Sequence, residues 1–254
     1  MKRRTVLKAV SVIAAATAMS FAPVAVAEEF EAKSVVLVHG AFADGSAWNR
    51  VTPLLEKAGL NVIAAQIPLS SLEADVKATQ RAIDRLEAPV VLVGHSWGGM
   101  VITEMGAQDK VHSLVYVAAF APNAGQSLGD YTADYPHADG LDHLEKDASG
   151  YYRLSHKGVA EHFAFDLPDA EIDTIFATQG PINSAALGTQ VTNAAWQKKP
   201  NFAVVSTEDR MTHTAIQRDQ IRKLNATYVE VETSHVPMLT HPQIVADMII
   251  KAAK

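Results

Sequence analysis

Pro89-Val90-Val91-Leu92-Val93-Gly94-His95-Ser96-Trp97-Gly98-Gly99 decides how the rest of the chain is read. Pro89–Val93 is a short, continuous, β-branched run, the pattern of a strand buried on both faces. Trp97–Ala107 supports a helix, so Gly94-x-Ser96-x-Gly98 falls in the turn between them. A serine between strand and helix, flanked by glycines, is the signature of a nucleophile elbow. The glycines permit a strained turn that lifts the hydroxyl above the sheet edge. The pentad alone is common, and its strand–turn–helix context gives it weight.

The same alternation extends on both sides. Ser34–Val38, Leu60–Ala65, Val111–Val117, Asn201–Ser206 and Thr227–Val231 are further strand candidates. A helix closed by Gly59 follows the first. Ser70-x-x-Glu73 reads as a capping box opening a helix to about Glu87, with Leu72, Val76, Thr79, Ile83 and Leu86 on one face. Thr214–Leu224 and Pro242–Ala253 are the last two helices. Six strands separated by helical crossovers imply an α/β fold with a mainly parallel six-stranded sheet flanked by helices. Residues 121–200 break this rhythm. They hold no long buried strand, yet nine of the 17 aromatic residues lie between Phe120 and Trp196. A helical cap inserted at about 121–200 is expected, with its aromatics lining a pocket over the carboxyl edge of the sheet.

Bulk composition narrows the function classes. The chain has 254 residues, 48% of them hydrophobic, and no cysteine. That excludes a disulfide scaffold, a thiolate nucleophile and zinc sites built on cysteine. A net charge of −6 argues against a nucleic-acid partner, which needs a clustered excess of Lys and Arg. The charge is unevenly spread. Residues 1–27 carry Lys2, Arg3, Arg4 and Lys8 and no acid, then a small apolar stretch ending in Ala25-Val26-Ala27. Basic start, apolar middle and A-x-A end describe a cleavable secretory signal, and Arg3-Arg4-Thr5-Val6-Leu7-Lys8 is like a twin-arginine export signal. The expectation is a periplasmic or secreted protein comprising residues 28–254, with no stable membrane insertion after cleavage. Removing residues 1–27 takes away four of the 22 basic residues and none of the 28 acidic ones, for a net charge of −10. Nothing in the sequence indicates an oligomeric state.

A serine hydroxyl attacks only when a base removes its proton, and the base must be oriented by a third group. In folds built on such an elbow the order along the chain is Ser, then Asp or Glu, then His. Thr207-Glu208-Asp209-Arg210 follows the Asn201–Ser206 strand, and Glu232-Thr233-Ser234-His235 follows Thr227–Val231. Ser96 as nucleophile, Asp209 as orienting acid and His235 as general base are therefore the expected catalytic residues, with Asp209 preferred to Glu208. His213 lies before the last strand rather than after it, and His95 is expected beneath the elbow. His241 is assigned a surface role. His137 and His143 lie near Asp139 and Asp142 without metal-ligand spacing, so no metal and no organic cofactor is expected. The oxyanion of a tetrahedral intermediate needs two backbone donors. These are expected to be the N–H of Trp97 and that of Ala41 in the His39-Gly40-Ala41-Phe42 loop, with His39 structural.

Val38-His39-Gly40-Ala41, Gly45-Ser46-Ala47-Trp48, Gly94-His95-Ser96-Trp97-Gly98-Gly99, Thr207-Glu208-Asp209 and Ser234-His235 together resemble the α/β-hydrolase superfamily. The likeness covers residues 33–120 and 196–254. It is nearest to the compact branch that holds plant methyl esterases, hydroxynitrile lyases and bacterial esterases. The resemblance implies Ser96, Asp209 and His235 as a triad, with Ala41 and Trp97 as oxyanion donors. The lyases of that branch characteristically have Thr after the first-strand His and Lys after the catalytic His, where this chain has Gly40 and Val236. Hydrolysis of a small, largely uncharged carboxylic ester is the expected reaction. A lyase or cofactor-free perhydrolase on the same triad is the first alternative, and a ligand-binding protein on a hydrolase scaffold is the second. The acyl and alcohol groups, and ester against lactone, stay open.

Overall fold

A computed structural model describes residues 29–254. The expected signal segment lies outside the described residues. Six strands form the central sheet: β1 (Ser34–Val38), β2 (Asn61–Ala65), β3 (Val90–His95), β4 (Val111–Val117), β8 (Asn201–Ser206) and β9 (Thr227–Val231). They stand in the order β2-β1-β3-β4-β8-β9, and all five pairings are parallel. β1 and β3 are buried along their whole length. This is why their sequences run apolar without alternation: helices cover both faces. Among the described residues no helix is long and apolar enough to cross a membrane.

The strand order locates the site. From β1 the chain moves outward to β2, then returns past β1 to place β3 on its other side. The connections leaving β1 and β3 therefore diverge, and a crevice opens between their carboxyl ends, where open α/β sheets bind ligands. His39-Gly40-Ala41 leaves β1 at that point and His95-Ser96-Trp97 leaves β3. The two turns are in close contact. A Cβ on Gly40 would lie 2.7 Å from Ser96 Cβ, and one on Gly98 would lie 2.6 Å from the Val38 carbonyl oxygen. Only residues without a side chain allow this approach.

The helix after β2 spans Leu72–Asp84. Its N-cap is Ser71, whose hydroxyl accepts from Ala74 N–H at 3.1 Å, rather than Ser70. The preceding Leu69 is left-handed (φ 58°), which brings the extended Ser71 to the start of the helix. The buried face includes Leu72, Thr79 and Ile83 as the periodicity indicates, and also Asp75.

Between β4 and β8 the cap contains helices Leu128–Thr132, Asp169–Thr178 and Ser184–Leu187. Beside them is a feature that sequence pattern does not reveal, an antiparallel sheet of β5 (Leu144–Lys146), β6 (Tyr151–Leu154) and β7 (Ile182–Asn183). These strands are too short for a hydrophobic period to show. Gln179 links the cap's helix to this sheet: its Oε1 accepts from Leu154 N–H at 2.7 Å, and its Nε2 donates to the Leu154 carbonyl at 3.0 Å. The cap grips the core through backbone bonds. Phe42 N–H donates to Gly180 O and Asn183 N–H to Leu69 O, both at 2.9 Å.

The contact between Gly98 and the end of β1 yields a stability prediction. Gly98→Ala should overpack this junction and lower the stability by about 1–3 kcal/mol, read as a lower urea midpoint at unchanged slope.

Candidate active site

Ser96 occupies the turn from β3 to the helix Gly98–Met105 with φ 51°, in the left-handed region that L-residues avoid. Backbone bonds hold it there. Ser96 N–H donates to Val117 O at 3.2 Å, while Ser96 O accepts from Gly99 N–H at 2.9 Å and Phe120 N–H at 3.4 Å. The side chain is buried against a small cavity, and Oγ makes no hydrogen bond among the described residues.

His235 follows β9 and opens onto the same cavity. Its Nδ1 donates to Asp209 Oδ2 at 2.8 Å, and both side chains are almost completely removed from water. Asp209 is held from several directions. Oδ1 accepts from Met211 and Thr212 N–H at 2.8 and 2.9 Å, and Oδ2 also accepts from Gln217 Nε2 at 2.8 Å. A carboxylate is the natural acceptor for so many donors. Glu208, by contrast, points into solvent. With Nδ1–H committed to Asp209, Nε2 of His235 is the unprotonated nitrogen in the neutral ring. Phe163 meets the ring edge to face, with centroids 5.2 Å apart.

His95 lies beneath the elbow, completely buried, and its Nε2 donates to the His235 carbonyl at 2.8 Å. Burial and the neighbouring His235 push its pKa well below the ordinary histidine value, so it stays neutral and acts as a strut. His39 has a similar part. Its Nε2 accepts from Ile67 N–H at 3.1 Å and its Nδ1 donates to Gly40 O at 2.9 Å, while burial lowers its pKa. Ala41 and Trp97 line the cavity with Ser96, and neither backbone N–H has an acceptor among the described residues.

The other histidines stand apart from this group. His213 caps the helix Thr214–Leu224 by accepting from Ala215 N–H, and the half-buried His241 pairs with Thr240. His137 forms an exposed pair with Asp142, and His143 stacks on His162.

Three supporting residues escape the sequence reading. Gln217 spans Asp209 and Ser206, accepting from Ser206 N–H at 3.0 Å. Asp166 of the cap accepts from Thr233 Oγ1 at 2.7 Å and Ser234 N–H at 2.8 Å, which fixes the loop leading to His235. Asp75 accepts from Trp97 Nε1–H at 2.8 Å and Leu69 N–H at 2.7 Å while fully buried. Of these, Asp75 left a signal: position 75 is three after Leu72 and four before Thr79, so an acid stands on an apolar helix face. Gln217 left a similar one, four before Ile221 and seven before Leu224 on the buried helix face, whereas Asp166 gave none, because its partners are 67 and 68 positions away.

The cavity around Ser96 measures about 80 Å³ and is walled chiefly by apolar side chains, with Phe120, Leu128, Leu141 and Met211 on one side. The same four residues also line an outer chamber of about 280 Å³ that extends to Tyr135, His137 and His213. Apart from His235, no ionisable side chain lines the inner cavity.

With this geometry in place, similarity to known proteins becomes informative. Residues 35–248 match the alpha/beta hydrolase family model, and the chain belongs to that family. It is 26% identical to Methylesterase 2 of Arabidopsis thaliana, over 89% of this chain and 98% of that one. It is 25% identical to the pyrethroid hydrolase of Sphingobium wenxiniae, over 85% of each chain. Among solved structures it resembles an extracellular alpha/beta-hydrolase from a Paenibacillus species. That match has a TM-score of 0.75 at 23% identity, covering 87% of this chain and 99% of that one.

The buried Asp75 carries a pH prediction. Burial raises its pKa from the usual carboxylate value to about 6, against the opposing effect of its two hydrogen bonds. The folded state then binds the proton more tightly than the unfolded chain does, so this group adds stability as pH falls from about 6 to about 4. Urea midpoints of the wild type and Asp75→Asn at a series of pH values should shift over that window in favour of the wild type. A gap between them that is independent of pH would contradict this.

Proposed function

We propose that the protein is a serine esterase that cleaves a small, largely uncharged carboxylic ester through an acyl-enzyme intermediate. The observation that carries this reading is that His235, bonded to the buried Asp209 at 2.8 Å, lines one cavity with the strained Ser96. In this reading Ser96 Oγ attacks the ester carbonyl while His235 Nε2 takes the hydroxyl proton. The same nitrogen then returns the proton to the departing alcohol. Asp209 keeps the ring in its tautomer and stabilises the imidazolium. The N–H groups of Ala41 and Trp97 receive the oxyanion. Water, deprotonated by His235, attacks the acyl group on Ser96, and His235 returns that proton to Ser96 Oγ as the acid is released. No metal or organic cofactor enters these steps.

Three facts support the substrate class. A cavity of about 80 Å³ without ionisable groups other than His235 suits a short apolar group and disfavours charge. The outer chamber behind Leu141 and Met211 offers the larger remainder of an ester an apolar seat with a polar rim. The names of the methylesterase and pyrethroid hydrolase relatives also point to ester substrates. Hydrolysis is favoured over cyanohydrin cleavage because Val236, an apolar residue, follows His235 and brings no ammonium beside it. Export belongs to the same proposal, resting on the basic, apolar and A-x-A pattern of residues 1–27.

Ser96→Ala should abolish hydrolysis of short p-nitrophenyl esters and labelling by a fluorophosphonate probe. Near wild-type turnover in that variant would remove Ser96 from the mechanism. In a panel varying acyl length and alcohol size, lactones and pyrethroid-like esters included, uncharged esters with one short group should turn over fastest. A preference for long charged acyl groups would contradict the substrate class.

Replacing Arg3 and Arg4 by Lys should block export of the folded protein in a bacterial host carrying the twin-arginine pathway. Undiminished export would overturn that route.

A further inference from the structure

Trp97 has two relations to the site that the proposed mechanism treats separately. It lines the cavity beside Ser96, and its indole is buried, with Nε1–H on Asp75 Oδ2 at 2.8 Å. An indole needs only one neutral acceptor, such as a backbone carbonyl or an amide oxygen. A buried carboxylate is a demanding choice, because its charge must be removed from water. What a carboxylate adds is the capacity to accept from two donors on two separate elements.

The second donor is Leu69 N–H, at 2.7 Å from Asp75 Oδ1, in the Ile67-Pro68-Leu69 turn after β2. That turn reaches the other side of the crevice as well. Ile67 N–H donates to His39 Nε2, and His39 Nδ1 donates to Gly40 O, next to Ala41. The turn is also tied to the cap, since Leu69 O accepts from Asn183 N–H at 2.9 Å. One three-residue segment thus touches the β1 turn through His39 and the β3 turn through Asp75. Leu69 is left-handed (φ 58°), a conformation that needs outside support.

We propose that Asp75 is a positioning residue for the oxyanion hole: its carboxylate clamps the Trp97 side chain to the Ile67–Leu69 turn and so fixes the Trp97 N–H relative to the Ala41 N–H. Asp75 touches no substrate and acts only through Trp97. The inference rests on the serine esterase reading above, since it gives those two N–H groups their function.

Asp75→Asn keeps the shape but presents an NH₂ to one of the two donors, so the clamp opens on one side. Trp97→Phe keeps an aromatic ring, smaller than the indole, and deletes the donor. Both variants should lower kcat on p-nitrophenyl acetate by about 10-fold or more with KM changed less than about 3-fold, somewhat below the loss on deleting an oxyanion donor outright. The rate of fluorophosphonate labelling should fall in parallel. The double variant should be no slower than Trp97→Phe alone, because the interaction is already lost. In the wild type, the indole N–H proton of Trp97 should resonate downfield and move upfield in Asp75→Asn. A merely structural aspartate would lower the urea midpoint of Asp75→Asn while leaving kcat of the folded fraction intact, and that result overturns the proposal. So does an additive double variant. If Asp75→Asn does not fold, wild-type kcat in Trp97→Phe overturns it equally. Failure of the wild type to label at Ser96 instead overturns the esterase reading, and the role of Asp75 falls with it.

Discussion

The backbone at Ser96 is the constraint on which the rest of the site depends. A left-handed non-glycine residue costs about 1–2 kcal/mol, and the chain meets this locally. The N–H and carbonyl of Ser96 are tied to Val117, Gly99 and Phe120, two of which lie at or just beyond the end of the neighbouring β4. Each such bond contributes on the order of 1 kcal/mol net, enough to make the strained turn the stable one. The close approach of Gly40 and Gly98 to the adjoining turns follows from the same geometry.

Around that turn the protein builds a shell of polar groups that hold one another and leave the atoms at the centre free. Asp209 accepts from Met211, Thr212, Gln217 and His235, and His95 supports the His235 carbonyl from below. Asp166 secures the approach to His235 from the cap side. By contrast Ser96 Oγ, His235 Nε2 and the N–H groups of Ala41 and Trp97 make no hydrogen bonds among the described residues. Rigid surroundings with unspent donors and acceptors at the centre are what a preorganised site requires. The buried histidines 39 and 95 fit this pattern, because burial keeps them neutral and therefore structural.

Much of the fold was legible in sequence because its signals are local. β1, β4, β8 and β9 occur at the boundaries that their apolar runs mark, and β2 and β3 differ by one or two residues. The helix Thr214–Leu224 likewise has the expected ends. Ser96, Asp209 and His235 could be proposed because each follows a recognisable strand and parallel strands bring their carboxyl ends to one edge. Where the local signal was ambiguous the reading slipped. Ser70 and Ser71 are both competent caps, and the choice between them was made by the Leu69 turn. In the cap, strands of two to four residues carry no period at all.

By itself, then, the sequence determined the alternation of strand and helix, the elbow around Ser96 and the aromatic enrichment of the cap, since these depend on neighbours a few residues apart. Only the tertiary structure decided which acid meets His235, which polar residues brace it and how large a space remains over Ser96. The bonds from Asp75 to Trp97, from Asp166 to Ser234 and from Gly180 to Phe42 join residues 22, 68 and 138 positions apart. No periodicity spans such distances, because those partners meet only when the sheet order and the cap's attachment have brought them together.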